Sequence, residues 1–139
     1  MPPPPNILIV EDERILAENI KTFLGRRAPN VRLVGDGEGA IDALKTFTPD
    51  AIVMDYRLPG MNGLETYSEM LRQNPKKIDC VMITGDSSEN LSEIVSAAGI
   101  RSLLIKPFSL HELLEQLEES PRGEPGATTE DASGKEGEK

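Results

Sequence analysis

Four short apolar runs, each followed or ended by a polar or charged residue, constrain the fold of this chain most strongly. They occupy 7–10, 51–54, 81–83 and 102–105, and the residues that follow them are Glu11-Asp12, Asp55, Thr84 and Lys106. The runs are rich in Ile, Val and Leu and are separated by stretches of helical periodicity, which is typical of a parallel sheet covered on both faces. We therefore predict an α/β fold with reactive side chains at its strand ends.

The periodicity predicts five strands that alternate with five helices. Strands are expected near 6–10, 31–34, 51–54, 80–83 and 102–105. An apolar stripe predicts the first helix over 13–27, and the next three helices are expected to stop at Pro49, near Pro75 and at Gly99. The fifth begins at Ser109, where Glu112 completes a capping-box spacing. Right-handed crossovers favour a doubly wound three-layer sandwich, with ligands bound where the strand order reverses.

Composition excludes several classes of function. The chain has 139 residues, 24 acidic against 15 basic side chains and a net charge of −9, which argues against a nucleic-acid surface of its own. No run approaches the roughly 20 apolar residues of a membrane span, and the start lacks the pattern of a signal peptide. Cys80 is the only cysteine and is expected to be a small buried hydrophobe. We expect a cytoplasmic protein that does not insert into membranes.

Three regions differ in composition along the chain. Residues 1–5 form a Pro-rich N-terminal extension, and 6–119 carry the alternating pattern of one domain. Residues 120–139 contain Pro, Gly, Ser, Thr and charged side chains but no Leu, Ile, Val or aromatic residue. Such a segment cannot bury enough apolar surface to offset its ordering, so we predict a disordered tail, or the start of a linker.

The carboxylates at the strand ends suit nucleophilic and metal-binding chemistry. A carboxylate such as Asp55 can act as a nucleophile and form an acyl phosphate. Glu11, Asp12 and Asp55 would repel one another when brought together, by about 4 kcal/mol for a pair at about 4 Å in an effective dielectric of about 20. A cation is therefore needed, and a few hard oxygen ligands suit Mg²⁺ better than Ca²⁺. Acids also favour the first turn of a helix, and Glu11 and Asp12 are expected to serve there as well.

Five motifs together resemble one family. They are I-L-I-V-E-D at 7–12, D-A-I-V-M-D at 50–55, L-P-G-M-N-G at 58–63, I-T-G-D at 83–86 and K-P-F at 106–108. In this order and at these spacings, the chain resembles the receiver domain of two-component response regulators over roughly 6–118. The resemblance implies a flavodoxin-like (βα)5 fold with a five-stranded parallel sheet in the order 2-1-3-4-5.

The resemblance also implies roles for the strand-end residues. Asp55 would accept a phosphoryl group from a phosphohistidine on a sensor histidine kinase or a histidine phosphotransfer protein. Asp12 and Asp55 would ligate Mg²⁺ or Mn²⁺, with Glu11 acting directly or through water and the backbone carbonyl of Arg57 completing the protein's share. The two further contacts to phosphoryl oxygens would come from Lys106 and Thr84. No residue is assigned to an organic cofactor.

Some positions depart from the family pattern or vary within it. Leu103 stands three residues before Lys106, where receivers commonly carry a Tyr or Phe that reports the phosphorylation state. Arg57 and Asp86 occupy positions that modulate loss of the phosphoryl group in the family. The resemblance further implies that the bond preceding Pro107 is cis.

Rival functions stay open at this point. A module that binds partners without phosphorylation is disfavoured by the intact set of Asp55, Thr84 and Lys106, but Leu103 keeps it open. A haloacid-dehalogenase-type phosphatase would need an acid where Arg57 stands. A flavin site is disfavoured because the acidic loop that begins at Glu11 would repel a phosphate. As a receiver, the chain would be a phosphoacceptor and not an enzyme, and would signal to a protein target through helix 4, strand 5 and helix 5. Self-association as a homodimer is left open.

Overall fold

A computed structural model describes residues 2–74, 78–85 and 89–119 of the chain. Strands and helices alternate through these ranges as predicted. The strands are β1 (Asn6–Val10), β2 (Asn30–Val34), β3 (Ala51–Asp55), β4 (Asp79–Thr84) and β5 (Ser102–Ile105). The helices are α1 (Arg14–Gly25), α2 (Gly37–Ala43), α3 (Gly63–Gln73), α4 (Glu89–Ala97) and α5 (Leu110–Glu118).

The strands form one parallel sheet in the order β2-β1-β3-β4-β5, which confirms the predicted fold class and order. β3 lies at the centre of the sheet, and all of its residues are buried. The chain order reverses between β1 and β3, so their carboxyl ends flank the switch point where open α/β sheets bind ligands. Glu11 and Asp55 both belong to this edge.

The two faces of the sheet carry separate cores, because successive side chains of a strand point to opposite faces. One face packs with helices α2, α3 and α4, and we call this the α2/α3/α4 core; its strand residues are Leu8, Val10, Ile52, Met54, Cys80 and Met82. The opposite face packs with helices α1 and α5 to form the α1/α5 core, with strand residues Ile7, Ile9, Ala51, Val53, Val81 and Ile83. Burial on both faces explains why the strands read as continuous apolar runs.

Reciprocal side-chain caps fix the starts of α3 and α5. Ser109 accepts a hydrogen bond from the Glu112 N–H at 3.0 Å, and the Glu112 carboxylate accepts one from the Ser109 N–H at 2.9 Å, which confirms the predicted capping box of α5. Asn62 and Glu65 form the same reciprocal pair at the start of α3. The second box sets the point at which the loop after β3 becomes helical.

Several boundaries differ from the sequence prediction. Helix α1 ends at Gly25, short of residue 27, and α2 ends at Ala43, well before Pro49. Past Ala43 the backbone N–H groups bond to carbonyls three residues back, so the chain tightens into turns. Gly99 has a φ of 87°, in agreement with its expected place after α4.

The predicted N-terminal extension contacts the domain. Pro3 and Pro4 of the predicted N-terminal extension are buried, and the Pro5 carbonyl accepts a hydrogen bond from the Asn30 N–H at 3.1 Å. The predicted tail, 120–139, and Asp86 lie outside the described residues. Among the described helices, none has the length and apolar character needed to cross a bilayer.

Candidate functional site

Asp55 is the last residue of β3, and its carboxylate is buried at the carboxyl edge of the sheet. Its Oδ1 accepts a hydrogen bond from the Arg57 backbone N–H at 3.0 Å. Its Oδ2 accepts one from the Lys106 ammonium, also at 3.0 Å. A buried carboxylate is tolerated only when it is paired and hydrogen-bonded, and this one meets both conditions.

The loop after Asp55 is held close to the strand by a glycine. The Gly63 N–H donates to the Tyr56 carbonyl at 2.7 Å, and the Tyr56 N–H donates to the Ile83 carbonyl at 2.8 Å. A Cβ atom at Gly63 would lie 2.6 Å from the Asp55 carbonyl oxygen, closer than real Cβ contacts allow. Only glycine therefore lets α3 begin this near to β3.

Glu11 follows β1 directly and is buried beside Asp55. Its Oε2 accepts a hydrogen bond from the Glu13 N–H at 2.9 Å. Its Oε1 has no hydrogen-bond partner, although the Lys106 ammonium lies 3.4 Å away, within ion-pair distance. Burial, the largest cause, raises the pKa of the Glu11 carboxyl to about 7. The hydrogen bond from the Glu13 N–H lowers this pKa, the nearby Asp55 raises it further, and the Lys106 charge lowers it.

Three carboxylates converge at this edge of the sheet. Glu11, Asp12 and Asp55 each offer an oxygen, and these oxygens lie within 4.8 Å of one another. Two of the carboxylates are buried, whereas Asp12 is exposed and leaves one side open to water. The unpartnered Oε1 of Glu11 is a further acceptor that a cation would satisfy. This donor set fits a hard, oxygen-binding divalent cation such as Mg²⁺ or Mn²⁺.

Lys106 brings the positive charge to the site. Its backbone N–H donates to the Thr84 carbonyl at 2.7 Å, which ties the residue after β5 to the end of β4. Partial burial alone would lower the pKa of its ammonium, but hydrogen bonds to Glu13 and Asp55 and the neighbouring negative charges raise it above its usual value. Lys106 is therefore cationic throughout the neutral range. The Lys106-Pro107 bond is cis, as the resemblance implied.

The other predicted site residues take different positions. Thr84 is the last residue of β4, is fully buried and lies opposite Ile105 in the sheet. Arg57 is exposed, and Leu103 is half-buried against the α2/α3/α4 core. Asp55, Glu11, Asp12 and Lys106 thus meet at one edge, with Thr84 at the end of the neighbouring strand.

Glu13 also lies at this edge, although no pattern in the sequence assigns it a role. Its carboxylate Oε1 accepts a hydrogen bond from the Lys106 ammonium at 2.8 Å, although the two residues are separated by 93 positions. In the sequence, the feature that sets Glu13 apart is its place as the third consecutive acid after β1, in the run Glu11-Asp12-Glu13. That run alone does not reveal which acid turns toward the lysine.

Comparison with known protein families gives a match over most of the chain. The family model for the response regulator receiver domain matches residues 7–118. The probable transcriptional regulatory protein TcrX of Mycobacterium tuberculosis is 33% identical over 93% of this chain and 54% of its own length. Response regulator MprA of Mycolicibacterium vanbaalenii is 34% identical over 82% of this chain and 49% of its own. The chain thus spans about half the length of these relatives.

Solved structures share the fold of this chain. The N-terminal domain of an uncharacterised protein from Wolinella succinogenes superposes with a TM-score of 0.75 at 30% identity, covering 81% of this chain and 90% of that one. A CheY-like response regulator receiver domain protein from Methanospirillum hungatei superposes with a TM-score of 0.75 at 24% identity, covering 82% of this chain and 90% of that one. With its parallel sheet in the order β2-β1-β3-β4-β5, its carboxylate edge and this match over 7–118, the chain belongs to the receiver-domain family of response regulators.

Proposed function

We propose that this receiver accepts a phosphoryl group on Asp55 from a phosphohistidine of a sensor histidine kinase or a histidine phosphotransfer protein. The observation that carries the proposal is the environment of the Asp55 carboxylate. It is buried, bonded to the Lys106 ammonium at 3.0 Å, and accompanied by two further carboxylates within 4.8 Å. A carboxylate placed only for structure would not need a cluster of like charges around it.

The transfer is a displacement at phosphorus. One Asp55 oxygen forms a bond to the phosphorus, the phosphorus–nitrogen bond of the donor breaks, and its electron pair stays on the imidazole nitrogen. The charge on the transferred group is spread over its equatorial oxygens, so catalysis consists mainly of positioning and charge neutralisation. Lys106 already points its ammonium at Asp55 and supplies one neutralising contact. The hydroxyl of Thr84 is proposed to donate to a second oxygen.

A divalent cation is proposed to take part. Asp12 and Asp55 would hold Mg²⁺ or Mn²⁺, together with Glu11, directly or through water, and the Arg57 backbone carbonyl. Bound there, the cation would screen the carboxylates from one another and neutralise charge on the phosphoryl oxygens. The fit of the donor set supports this assignment: two buried acids, one exposed acid and an unpartnered Glu11 Oε1.

The output is proposed to be a change in protein contacts. The proposed surface comprises α4, β5 and α5, and two exposed apolar side chains on it, Ile94 and Ile105, suit a protein target. Thr84 ends β4 next to this surface. If the Thr84 hydroxyl moves toward the phosphoryl group, the loop that follows β4 would move with it. Leu103 lacks the hydroxyl of a tyrosine, so its response must come from packing against the α2/α3/α4 core.

The chain is proposed to assist its own phosphorylation and dephosphorylation without turning over a separate substrate. Arg57, exposed two residues after the acceptor, and Asp86 are proposed to set the acyl-phosphate lifetime. The reaction is proposed to occur in the cytoplasm, in keeping with the single free and buried cysteine, Cys80. The second candidate function is binding that does not depend on phosphorylation, which stays open because Leu103 replaces the usual aromatic residue.

Acetyl phosphate provides the test. The protein is incubated with Mg²⁺ and acetyl phosphate, and its intact mass is measured for the wild type, Asp55→Asn and Asp50→Asn. Asp50 is the control, because its carboxylate accepts a bond from the Asn6 N–H at the opposite end of β3. We expect one added phosphoryl group on the wild type and Asp50→Asn, and none on Asp55→Asn. An unmodified wild type, or equal addition on Asp55→Asn, rejects the proposal.

A further inference from the structure

Glu13 forms an ion pair with Lys106 that the family roles do not explain. The Lys106 ammonium lies 2.8 Å from Glu13 Oε1, 3.0 Å from Asp55 Oδ2 and 3.4 Å from Glu11 Oε1. The bond to Glu13 is the shortest of the three. Two of the three ammonium N–H donors therefore bond to Glu13 and Asp55, and Glu11 adds a charge contact without a hydrogen bond.

A capping role does not account for this position of the Glu13 side chain. Glu13 is the N-cap residue of α1, with an extended backbone, yet its side chain accepts no hydrogen bond from the helix. Its own N–H donates to Glu11 Oε2 at 2.9 Å, which anchors its backbone to the acidic edge. The carboxylate is therefore turned away from the helix and toward Lys106.

The three carboxylates around Lys106 differ in exposure. The side chains of Asp55 and Glu11 are 5% and 0% exposed, whereas that of Glu13 is 63% exposed. An ion pair with an exposed partner is weak and exchanges readily, because water can take the place of the lysine. When a phosphoryl oxygen needs a donor from Lys106, the contact that yields at least cost is the one to Glu13.

We propose that Glu13 is a positioning residue that competes with the incoming phosphoryl group for Lys106 and so slows phosphorylation of Asp55. The inference rests on the proposed function, which it deepens by assigning a regulator to the same site. In the unphosphorylated protein, Glu13 holds the ammonium at the mouth of the site. During transfer, Lys106 exchanges Glu13 for a phosphoryl oxygen, while the bond to the Asp55 oxygen forms and the phosphorus–nitrogen bond of the donor breaks as described above.

Three variants test the competition. Glu13→Gln keeps the shape of the side chain and removes its charge, whereas Glu13→Asp keeps the charge and shortens the reach. Glu18→Gln is the matched control, since this exposed acid lies on the same helix and lines the same shallow cavity as Glu11 and Asp12. It removes an equal charge near the site without touching the Lys106 pair.

Phosphorylation by acetyl phosphate with Mg²⁺ is followed by intact mass over a range of donor concentrations. We expect Glu13→Gln to raise the rate at limiting donor by about two- to fivefold, the range that corresponds to loss of an exposed ion pair. Glu13→Asp should change the rate in the same direction by less, and Glu18→Gln should match the wild type. A Glu13→Gln rate equal to that of Glu18→Gln overturns the inference and leaves the proposed function intact. A wild type that takes no phosphoryl group on Asp55 overturns both.

A second readout needs neither phosphodonor nor metal. The side-chain ammonium signal of Lys106 is followed by ¹⁵N NMR, and we expect its protons to exchange with water faster in Glu13→Gln than in the wild type or Glu18→Gln. Thermal unfolding should be nearly the same for all variants, because the pair is exposed at Glu13. Unchanged ammonium exchange in Glu13→Gln overturns the inference, since a purely structural role would leave that signal unaltered.

Discussion

The ammonium of Lys106 and the carboxylate of Asp55 lie 3.0 Å apart, although 51 positions separate the two residues in the chain. The contact joins the end of β5 to the end of β3 across the intervening β4. Lys106 reaches across because its own N–H is fixed to the Thr84 carbonyl at the end of β4. Asp55 and its counter-charge are therefore held by three strand ends of one sheet.

Replacing Lys106 tests the value of that contact. We expect Lys106→Met to slow phosphorylation by acetyl phosphate by about 10- to 100-fold, the factor for losing a hydrogen bond to a charged group. Lys45→Met is the control, because Lys45 pairs only with the exposed Asp42 in the described part of the chain. Rates are measured by intact mass at fixed Mg²⁺. A Lys106→Met rate within roughly twofold of the control, the size of a weak surface effect, contradicts the assignment.

Binding of Mg²⁺ should stabilise the protein. A cation that binds only the folded state adds about 2.7 kcal/mol when its concentration is about 100 times the dissociation constant. We expect the melting temperature to rise with Mg²⁺ in the wild type and in Glu38→Gln, whose exposed acid lies in the first turn of α2. Asp12→Asn should lose most of this rise. The measurement is thermal unfolding with Mg²⁺ or with a chelator, and an equal rise in Asp12→Asn would remove that residue from the ligand set.

Gly63 should tolerate no side chain. Its Cβ would meet the Asp55 carbonyl at 2.6 Å and the Met82 sulfur at 2.9 Å, so Gly63→Ala must displace the loop or the strand. We expect a loss of about 1–3 kcal/mol in the free energy of unfolding, the usual cost of overpacking, and slower phosphorylation of Asp55. Gly25→Ala is the control, because no atom lies within 4 Å of the added carbon. The free energy of unfolding of each variant is measured in denaturant, and equal values for Gly63→Ala and Gly25→Ala would refute the steric argument.

Tyr67 should make stability depend on alkaline pH. Burial raises the pKa of its phenol from 10.0 to about 12, and the nearby Cys80 and Asp79 add to the rise. The unfolded chain therefore loses this proton at a lower pH than the folded protein. The stabilisation is complete below pH 10 and is lost as the pH rises toward 12.

The variant Tyr67→Phe isolates this effect from other groups that titrate in alkali. At neutral pH it should cost about 1 kcal/mol, because the Tyr67 hydroxyl donates to the Ile78 carbonyl at 2.9 Å. Between pH 10 and 12 the gap to the wild type should narrow, since the variant has no phenol to titrate. Unfolding in urea at a series of pH values measures the gap. A gap that stays constant over this range shows that Tyr67 does not titrate on unfolding.

The alternation of elements and the site edge could both be predicted from the sequence. The apolar runs before Asp55 and Lys106 mark strands of a parallel sheet, and the carboxyl ends of such strands share one edge. The pairing of Glu13 with Lys106 could not, because it depends on how one exposed side chain turns at a helix start. The end of α2 at Ala43 was missed for a related reason. After that residue, bonds to carbonyls three residues back replace the helical bonds, and no proline or glycine stands there to mark the helix end in the sequence.

The complete burial of β3 determines which kinds of sequence change this strand can tolerate. Conservative exchanges among its apolar residues keep each side chain on its own face of the sheet. A one-residue insertion or deletion within 51–54 would instead turn Asp55 to the opposite face, away from Lys106, relative to the β3 residues before the change. Insertions and deletions in this protein should therefore be confined to the connections, because the spacing from Ala51 to Asp55 fixes the face on which the Asp55 carboxylate lies.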